Sequence, residues 1–280
     1  LNFTKMNGLG NDFIVVAHFE TLPPDAGRLA SAVCDRHFGI GGDGLVFILP
    51  SSKADFCMRI MNADGSEPEQ CGNAIRCVAK YVFDHNMTDK QHLTIETLAG
   101  IQQVWLVVEN GRAKEVKVDM GAPILEGSRI PVSLRQEQVV NEPLDAGGTR
   151  FAFTGVSMGN PHAVIFVDDA PGFDVEKWGP LLESNPMFPR KANVEFVSVN
   201  SNTDIDMRVW ERGCGQTYAC GTGACATVVA GVLNGKTERA ATVHLLGGDL
   251  YIEWNDRDGH VYMTGPAEEV FTGQWVKPGV

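Results

Sequence analysis

The sequence predicts an α+β protein of two pseudo-symmetric halves, each a curled, mostly antiparallel, barrel-like β-sheet around a central helix, with the active site in the cleft between them. Three observations predict it: an internal repeat at one fixed spacing, a helical segment after a cysteine in each half, and short alternating apolar segments elsewhere.

The repeat has an offset of 149. Asp55-Phe-Cys-Met-Arg-Ile-Met-Asn62 lies over Asp204-Ile-Asp-Met-Arg-Val-Trp-Glu211, and without a gap Cys71-Gly-Asn73 lies over Cys220-Gly-Thr222. The same register sets Gly10-Asn11 on Gly159-Asn160 and Leu45-Val-Phe47 on Val194-Glu-Phe196. Later it slips to 148, where Leu98-Ala-Gly100 matches Leu246-Gly-Gly248. The halves are therefore expected at 1–119 and 120–266, with the tail 267–280 packing on the first.

In the first half a Gly-Asn turn leads into a strand at Phe13–Ala17, and a second strand at Phe56–Met61 precedes Cys71. Apolar residues then fall at Ile75, Val78, Ala79, Val82 and Phe83, the spacing of one helix face. Gln103–Val108 and Glu115–Val118 alternate as strands do. The second half repeats the order with strands at Ala163–Val167 and Ile205–Trp210, a helix over Ala224–Leu233 and a strand at Leu250–Trp254. Its helix is apolar nearly all round and rich in small residues, which predicts enclosure by sheet.

Charge narrows the partners. Against 35 Asp and Glu stand 23 Lys and Arg, a formal net charge of −12, which disfavours nucleic acid and anionic membrane surfaces. No apolar run approaches the roughly 20 residues that cross a bilayer, and Leu1 to Asn11 do not read as a signal peptide. A cytoplasmic protein acting on a small molecule is expected. Seven cysteines, an odd number without a CxxC pair, read as reduced thiols.

Cys71 and Cys220 are set apart because the repeat superposes them. Each opens a helix, where unpaired N–H groups and the positive end of the dipole attract anions and lower a thiol pKa. Two such thiols across a cleft suit removal of a proton from one face of a carbon acid and its return to the other, that is, racemisation or epimerisation. The backbone N–H groups of Gly72, Asn73, Gly221 and Thr222 would receive the adjacent carboxylate and the developing enolate charge. Neither metal nor other cofactor is expected. Cys34, Cys57, Cys77, Cys214 and Cys225 have no repeat partner and read as packing residues. The glycine-rich Gly39–Gly44 segment lacks the Lys-Ser/Thr of a phosphate loop and reads as a structural turn. His162, just after the Gly159-Asn160 turn, reads equally as a structural histidine or as a group tuning a thiol. Glu211 matches Asn62, a polar residue at the same strand end, which points to a pocket role for both.

Six segments together resemble the diaminopimelate epimerase family along essentially the whole chain: Phe3-Thr-Lys-Met-Asn-Gly-Leu-Gly-Asn-Asp-Phe13, Asn62-Ala-Asp-Gly-Ser66, Cys71-Gly-Asn-Ala-Ile-Arg76, Met158-Gly-Asn-Pro-His162, Glu211-Arg-Gly213 and Ala219-Cys-Gly-Thr-Gly-Ala224. The resemblance implies a cofactor-independent interconversion of L,L- and meso-diaminopimelate, in lysine biosynthesis and peptidoglycan precursor supply, by a homodimer. By the same resemblance Cys71 and Cys220 are the two bases, and His162 and Glu211 assist them. Asn11, Asn62, Asn160, Asn193, Glu211 and Arg212 bind substrate, Arg212 taking the far carboxylate. Asn7, Gly44 and Gln216-Thr-Tyr218 depart from the usual pattern, and all are expected at the pocket rim. A proline-racemase-like enzyme would share Cys-Gly-Thr-Gly but lack the Asn62, Asn193 and Arg212 set. A thiol metal-binding module would need clustered Cys/His ligand spacing, which the sequence lacks.

Overall fold

The computed structural model describes residues 1–17, 19–68 and 71–276. Among them the chain runs β1 (Asn2–Gly8), β2 (Asn11–Val16), α1 (Ala26–Cys34), β3 (Gly44–Leu49), β4 (Phe56–Asn62), α2 (Gly72–Asp84), β5 (His92–Thr97), β6 (Gly100–Glu109) and β7 (Arg112–Asp119). It continues with β8 (Glu142–Ala146), β9 (Thr149–Ser157), β10 (Pro161–Phe166), α3 (Val175–Glu183), β11 (Asn193–Ser201), β12 (Asp204–Glu211), β13 (Gly215–Gln216), α4 (Gly221–Leu233), β14 (Ala240–Leu245), β15 (Gly248–Trp254), β16 (Val261–Pro266) and β17 (Glu268–Gln274). This is a sheet-dominated α+β fold with few helices, as its sequence pattern predicts.

The chain divides into two compact units, Leu1–Val118 with the chain from Gly265 onward, and Asp119–Thr264. In the first unit the strands pair in the order β17, β1, β2, β3, β4, β5, β6, β7, antiparallel except for β2–β3 and β4–β5. In the second the order is β8, β9, β10, β11, β12, β14, β15, β16, antiparallel except for β10–β11 and β12–β14. The two orders are the same, and the last strand of the chain takes beside β1 the place that β8 takes beside β9. Residues 277–280, the end of the expected tail, lie outside the described residues.

Each sheet curls around one helix. In the first unit α2 touches β1, β2, β4, β6 and β17; in the second, α4 touches β9, β10, β11, β12, β14 and β15. Enclosure explains the composition of α4, in which Gly221 and every residue from Gly223 to Gly231 are buried. The one-face pattern read for α2 understates its burial: Phe83 is only half-buried, while Arg76 is fully buried and donates to the Gly72 and Pro266 carbonyls, both at 3.1 Å.

The other face of each sheet is covered by the short helices α1 and α3, which the sequence reading passed over. Ile14, Val16, Ala26, Val33, Leu45 and Phe47 form this core in the first unit. Their repeat mates Ala163, Ile165, Val175, Leu182, Val194 and Phe196 form it in the second. With apolar material on both faces, β3 is buried at every position. By the two-residue period of a strand, Phe13 and Val46 point to the opposite face, as do their mates His162 and Glu195.

Candidate active site

In the first unit Cys71 is the N-cap residue of α2, with extended backbone at φ −145° and ψ 109°, and its Sγ accepts the Ala74 N–H at 3.5 Å. This satisfies one of the N–H groups that a helix start leaves unpaired. Asn73 donates through Nδ2 to Asn11 Oδ1 at 3.0 Å, tying the helix start to the β1–β2 turn. Asn11 in turn donates to Asp43 Oδ2 at 2.6 Å. Arg36 bonds both Asp12 and Asp43, at 2.7 and 2.8 Å, and Lys5 pairs with Asp12 at 2.6 Å. Burial works to raise the Asp12 carboxyl, but hydrogen bonds and attraction from Arg36 and Lys5 outweigh it and hold it at about 2. Asn62, at the end of β4, donates through Nδ2 to Ser66 Oγ at 3.0 Å, and among the described residues its side chain bonds none of the predicted site residues.

The second unit repeats this geometry around Cys220, the N-cap of α4, at φ −120° and ψ 107°. Asn160 Nδ2 donates to Thr222 Oγ1 at 3.2 Å, the counterpart of the Asn73–Asn11 bond, and Thr222 Oγ1 lies 3.5 Å from Cys220 Sγ. Behind them the units differ. His162 Nδ1 meets Glu195 Oε1 at 2.6 Å and His162 Nε2 meets Asn160 Oδ1 at 3.0 Å, with both the His162 and Glu195 side chains wholly buried. A Cβ on Gly223 would lie 2.8 Å from Glu195 Oε1 and 3.3 Å from Cys220 Sγ, so only glycine lets carboxylate and thiol approach this closely.

The Cys220 thiol is pushed well above its usual range by burial and by the charges of Glu211 and Glu195. The expectation from the sequence, that the helix start lowers it, does not hold for Cys220. Hydrogen bonds from Thr222 and the Gly223 N–H do act in that direction, but loss of water and two carboxylates outweigh them. Burial also raises the Glu211 carboxyl, against hydrogen bonds from Thr217 and Cys220 and the pull of His162.

Asn193 donates to the Pro161 carbonyl at 3.2 Å and accepts the Arg212 N–H at 2.9 Å, so its amide braces the backbone beneath Arg212. The Arg212 side chain is exposed and bonds only the Arg190 carbonyl, at 3.2 Å, among the described residues. Its charge is therefore available to a ligand.

Among the expected rim positions, Tyr218 is exposed, but Gly44 is buried in β3 opposite Asn62, where an added Cβ would lie 3.0 Å from the Met61 carbonyl. Asn7 is half-buried and accepts the Gly10 N–H. Of the other cysteines, burial pushes Cys34 and Cys77 up to about 12, the behaviour of inert packing thiols. Cys214 departs from that reading, being exposed. The Gly39–Gly44 segment closes the end of α1: the N–H groups of Ile40, Gly41 and Gly42 bond the Val33 and Cys34 carbonyls. Among the described residues, no three His, Cys, Asp or Glu side chains are grouped to hold a metal ion.

Lys5, Asp12, Arg36, Asp43, Thr217 and Glu195 are not among the residues that the sequence marks for the site. Glu195 alone carries a legible signal, an acid between Val194 and Phe196 in the buried part of β11, where a charge must be partnered.

Comparison with known proteins bears on the family and the fold. The model of the diaminopimelate epimerase family matches residues 3–126 and 154–270. The diaminopimelate epimerase of Acetivibrio thermocellus is 58% identical over 274 residues, 98% of each chain. That of Pelotomaculum thermopropionicum is 56% identical over 277 residues, 98% of this chain and 99% of its own. A hydroxyproline epimerase from Agrobacterium vitis shares the fold at a TM-score of 0.71 and 14% identity, covering 97% of this chain and 91% of that one. A PhzF-family phenazine biosynthesis protein of Bacillus anthracis does so at 0.71 and 16%, covering 99% of each. Similarity this extensive to the family model and to full-length relatives, spanning both cysteine-capped helices, places the chain in the diaminopimelate epimerase family.

Proposed function

We propose that this protein interconverts L,L- and meso-diaminopimelate by a two-base proton transfer between Cys71 and Cys220, without a cofactor. The observation that carries this reading is the pair of equivalent helices, α2 and α4, each capped by a cysteine in extended backbone and followed by glycine, in units of one strand order. Family membership supplies the substrate. Catalysis then requires the two sulfurs to address one α-carbon from opposite faces. One, as thiolate, takes the α-proton and becomes a thiol; the other, as thiol, delivers its proton to the opposite face and becomes a thiolate. No electron or atom is left over, and the roles reverse with direction. The pushed-up thiol of Cys220 suits the proton-donating role in the resting protein.

Backbone N–H groups of Gly72, Asn73, Gly221 and Thr222 at the helix starts hold the α-carboxylate and stabilise the enolate-like charge. Asn11, Asn62, Asn160 and Asn193 position the substrate, and the exposed guanidinium of Arg212 takes the distal carboxylate as a fork. His162 and Glu211 set the charge around Cys220. The protein works in the cytoplasm on a small molecule, as a homodimer, in lysine and peptidoglycan precursor supply.

The test is α-proton exchange in heavy water, followed by NMR with L,L-diaminopimelate, proline and glutamate offered separately. Exchange with formation of the meso isomer is expected for diaminopimelate alone. Exchange with proline, or with none of the three, contradicts the reading.

A further inference from the structure

The buried pair His162–Glu195 stands out against the repeat. At the same positions of the first unit stand Phe13 and Val46, both buried and apolar. Two copies of one sheet thus place two apolar side chains on the inner face in one unit and a wholly buried imidazole and carboxylate in the other. Burying a polar, ionisable pair in that position costs desolvation that Phe and Val avoid. Packing alone therefore does not account for it.

Hydrogen bonds continue outward from it. Glu195 holds His162 at Nδ1, His162 holds the Asn160 amide oxygen at Nε2, Asn160 donates to Thr222 Oγ1, and Thr222 meets Cys220 Sγ. Asn160 cannot turn its amide without breaking both its bonds, so its orientation is set through His162 by Glu195. Glu195 also approaches the cysteine from behind: its Oε1 and the Cys220 Sγ both crowd the open position at Gly223, at 2.8 and 3.3 Å. The carboxylate is thus within about 6 Å of the thiol, the range in which like charges alter ionisation. Its other oxygen, Oε2, is buried and has no hydrogen-bond partner among the described residues, so its charge is weakly screened on that side.

We propose that Glu195 is a positioning residue of the Cys220 half-site: it fixes His162 and, through it, the Asn160 amide, and its charge behind Cys220 makes this cysteine the proton-carrying member of the pair in the resting protein. The inference rests on the two-cysteine reading above. The groups acting on Cys220 are Glu195 from β11 and Glu211 from β12, with Thr222 and the Gly223 N–H on its own helix, while His162 from β10 is bonded to Glu195 and acts on Glu211. Burial and both carboxylates act on the thiol in the same direction.

The experiment is iodoacetamide alkylation of the full-length protein against pH, resolved to single cysteines by peptide mass spectrometry, with alkylation of Cys71 as the internal reference. Glu195→Gln keeps an oxygen to accept from His162 and removes the charge. Glu195→Val installs the side chain that the first unit uses there and so guards against a packing defect. In Glu195→Gln the midpoint of Cys220 alkylation should fall by at least about one pH unit, and the pH profile of kcat should move down with it. Glu195→Val should lower the midpoint as well and also raise KM, because Asn160 loses its anchor through His162. A Cys220 midpoint unchanged in both variants, in a wild type that does epimerise diaminopimelate, overturns the role of Glu195 and leaves the two-base reading standing. A wild type that exchanges no α-proton of diaminopimelate, or a Cys220→Ala variant of full activity, removes the two-base reading itself.

Discussion

Arg212 shows what one side chain decides. In the proposed reading the reacting end of the substrate is held by backbone N–H groups that any α-amino acid can use, which leaves discrimination to the far end. Arg212 is exposed, its carboxylate partners are absent among the described residues, and Asn193 fixes the backbone beneath it. Arg212→Ala should lower kcat/KM for diaminopimelate by roughly 30-fold to several thousand-fold, the equivalent of about 2 to 5 kcal/mol. Arg212→Lys should recover little of it, because an ammonium cannot form the planar fork. The comparison is with an analogue lacking the distal carboxylate, whose kcat/KM should barely change. If the variant still prefers diaminopimelate as strongly as the wild type, Arg212 does not read that carboxylate. At this scale the sequence exposed the residues that the repeat superposes, Cys71 on Cys220 and Asn11 on Asn160. Residues with no counterpart stayed hidden: Glu195 lies over Val46, and Asp43 sits in a glycine-rich turn whose structural reading was sufficient in itself.

At the scale of elements, two predictions concern how strands and short helices are fastened. Lys5 on β1, Asp12 on β2, Arg36 beyond α1 and Asp43 before β3 join four segments around Asn11. Asp12 is held at about 2, against 3.8 for an ordinary aspartate. Its depressed value means that its stabilising contribution is full above about pH 4 and is lost as pH falls towards 2. Asp12→Asn should be less stable than wild type at pH 7, and its denaturation midpoint should fall less between pH 4 and pH 2. Parallel curves for the two proteins contradict this. The second prediction concerns α3, where Gly179 lies against Trp210: an added Cβ would come within 2.4 Å of the indole Cγ. Gly179→Ala should cost about 1 to 3 kcal/mol by overpacking, read as a lowered Tm, and an unchanged Tm would show that the helix can shift aside. The same helix explains why α1 and α3 escaped the sequence reading although they lie at the 149-residue offset. Pro180 stands inside α3 next to Gly179, two residues of the poorest helix propensity, and α1 has no side-chain N-cap bond. Tertiary packing, not local preference, holds both.

At the scale of the whole molecule, the repeat makes each unit an internal control for the other. Strand order, helix length and the cysteine cap recur; the recurrence of the halves and of a helix behind each cysteine was legible because duplication preserves spacing even where side chains have diverged, but the order in which the strands pair was not. Strand pairing across the ends of the chain carries no such local trace: the sequence suggests only that the tail packs on the first half, whereas the pairing of β17 with β1, with Asn2 opposite Gln274, emerges in the folded unit. What the units do not share is equally informative, since the two-base reading needs equivalent positions but unlike protonation, and the His162–Glu195 pair supplies the unlike part. The central claim is that both cysteines act on one carbon, and the most direct measurement follows α-proton exchange and isomer formation together in heavy water for wild type, Cys71→Ala and Cys220→Ala. The wild type should form the second isomer with deuterium at the inverted centre. Each variant should lose interconversion by at least about a hundredfold, with exchange without inversion permitted in one of them through the base that remains. Interconversion at the wild-type rate in either variant would contradict the account.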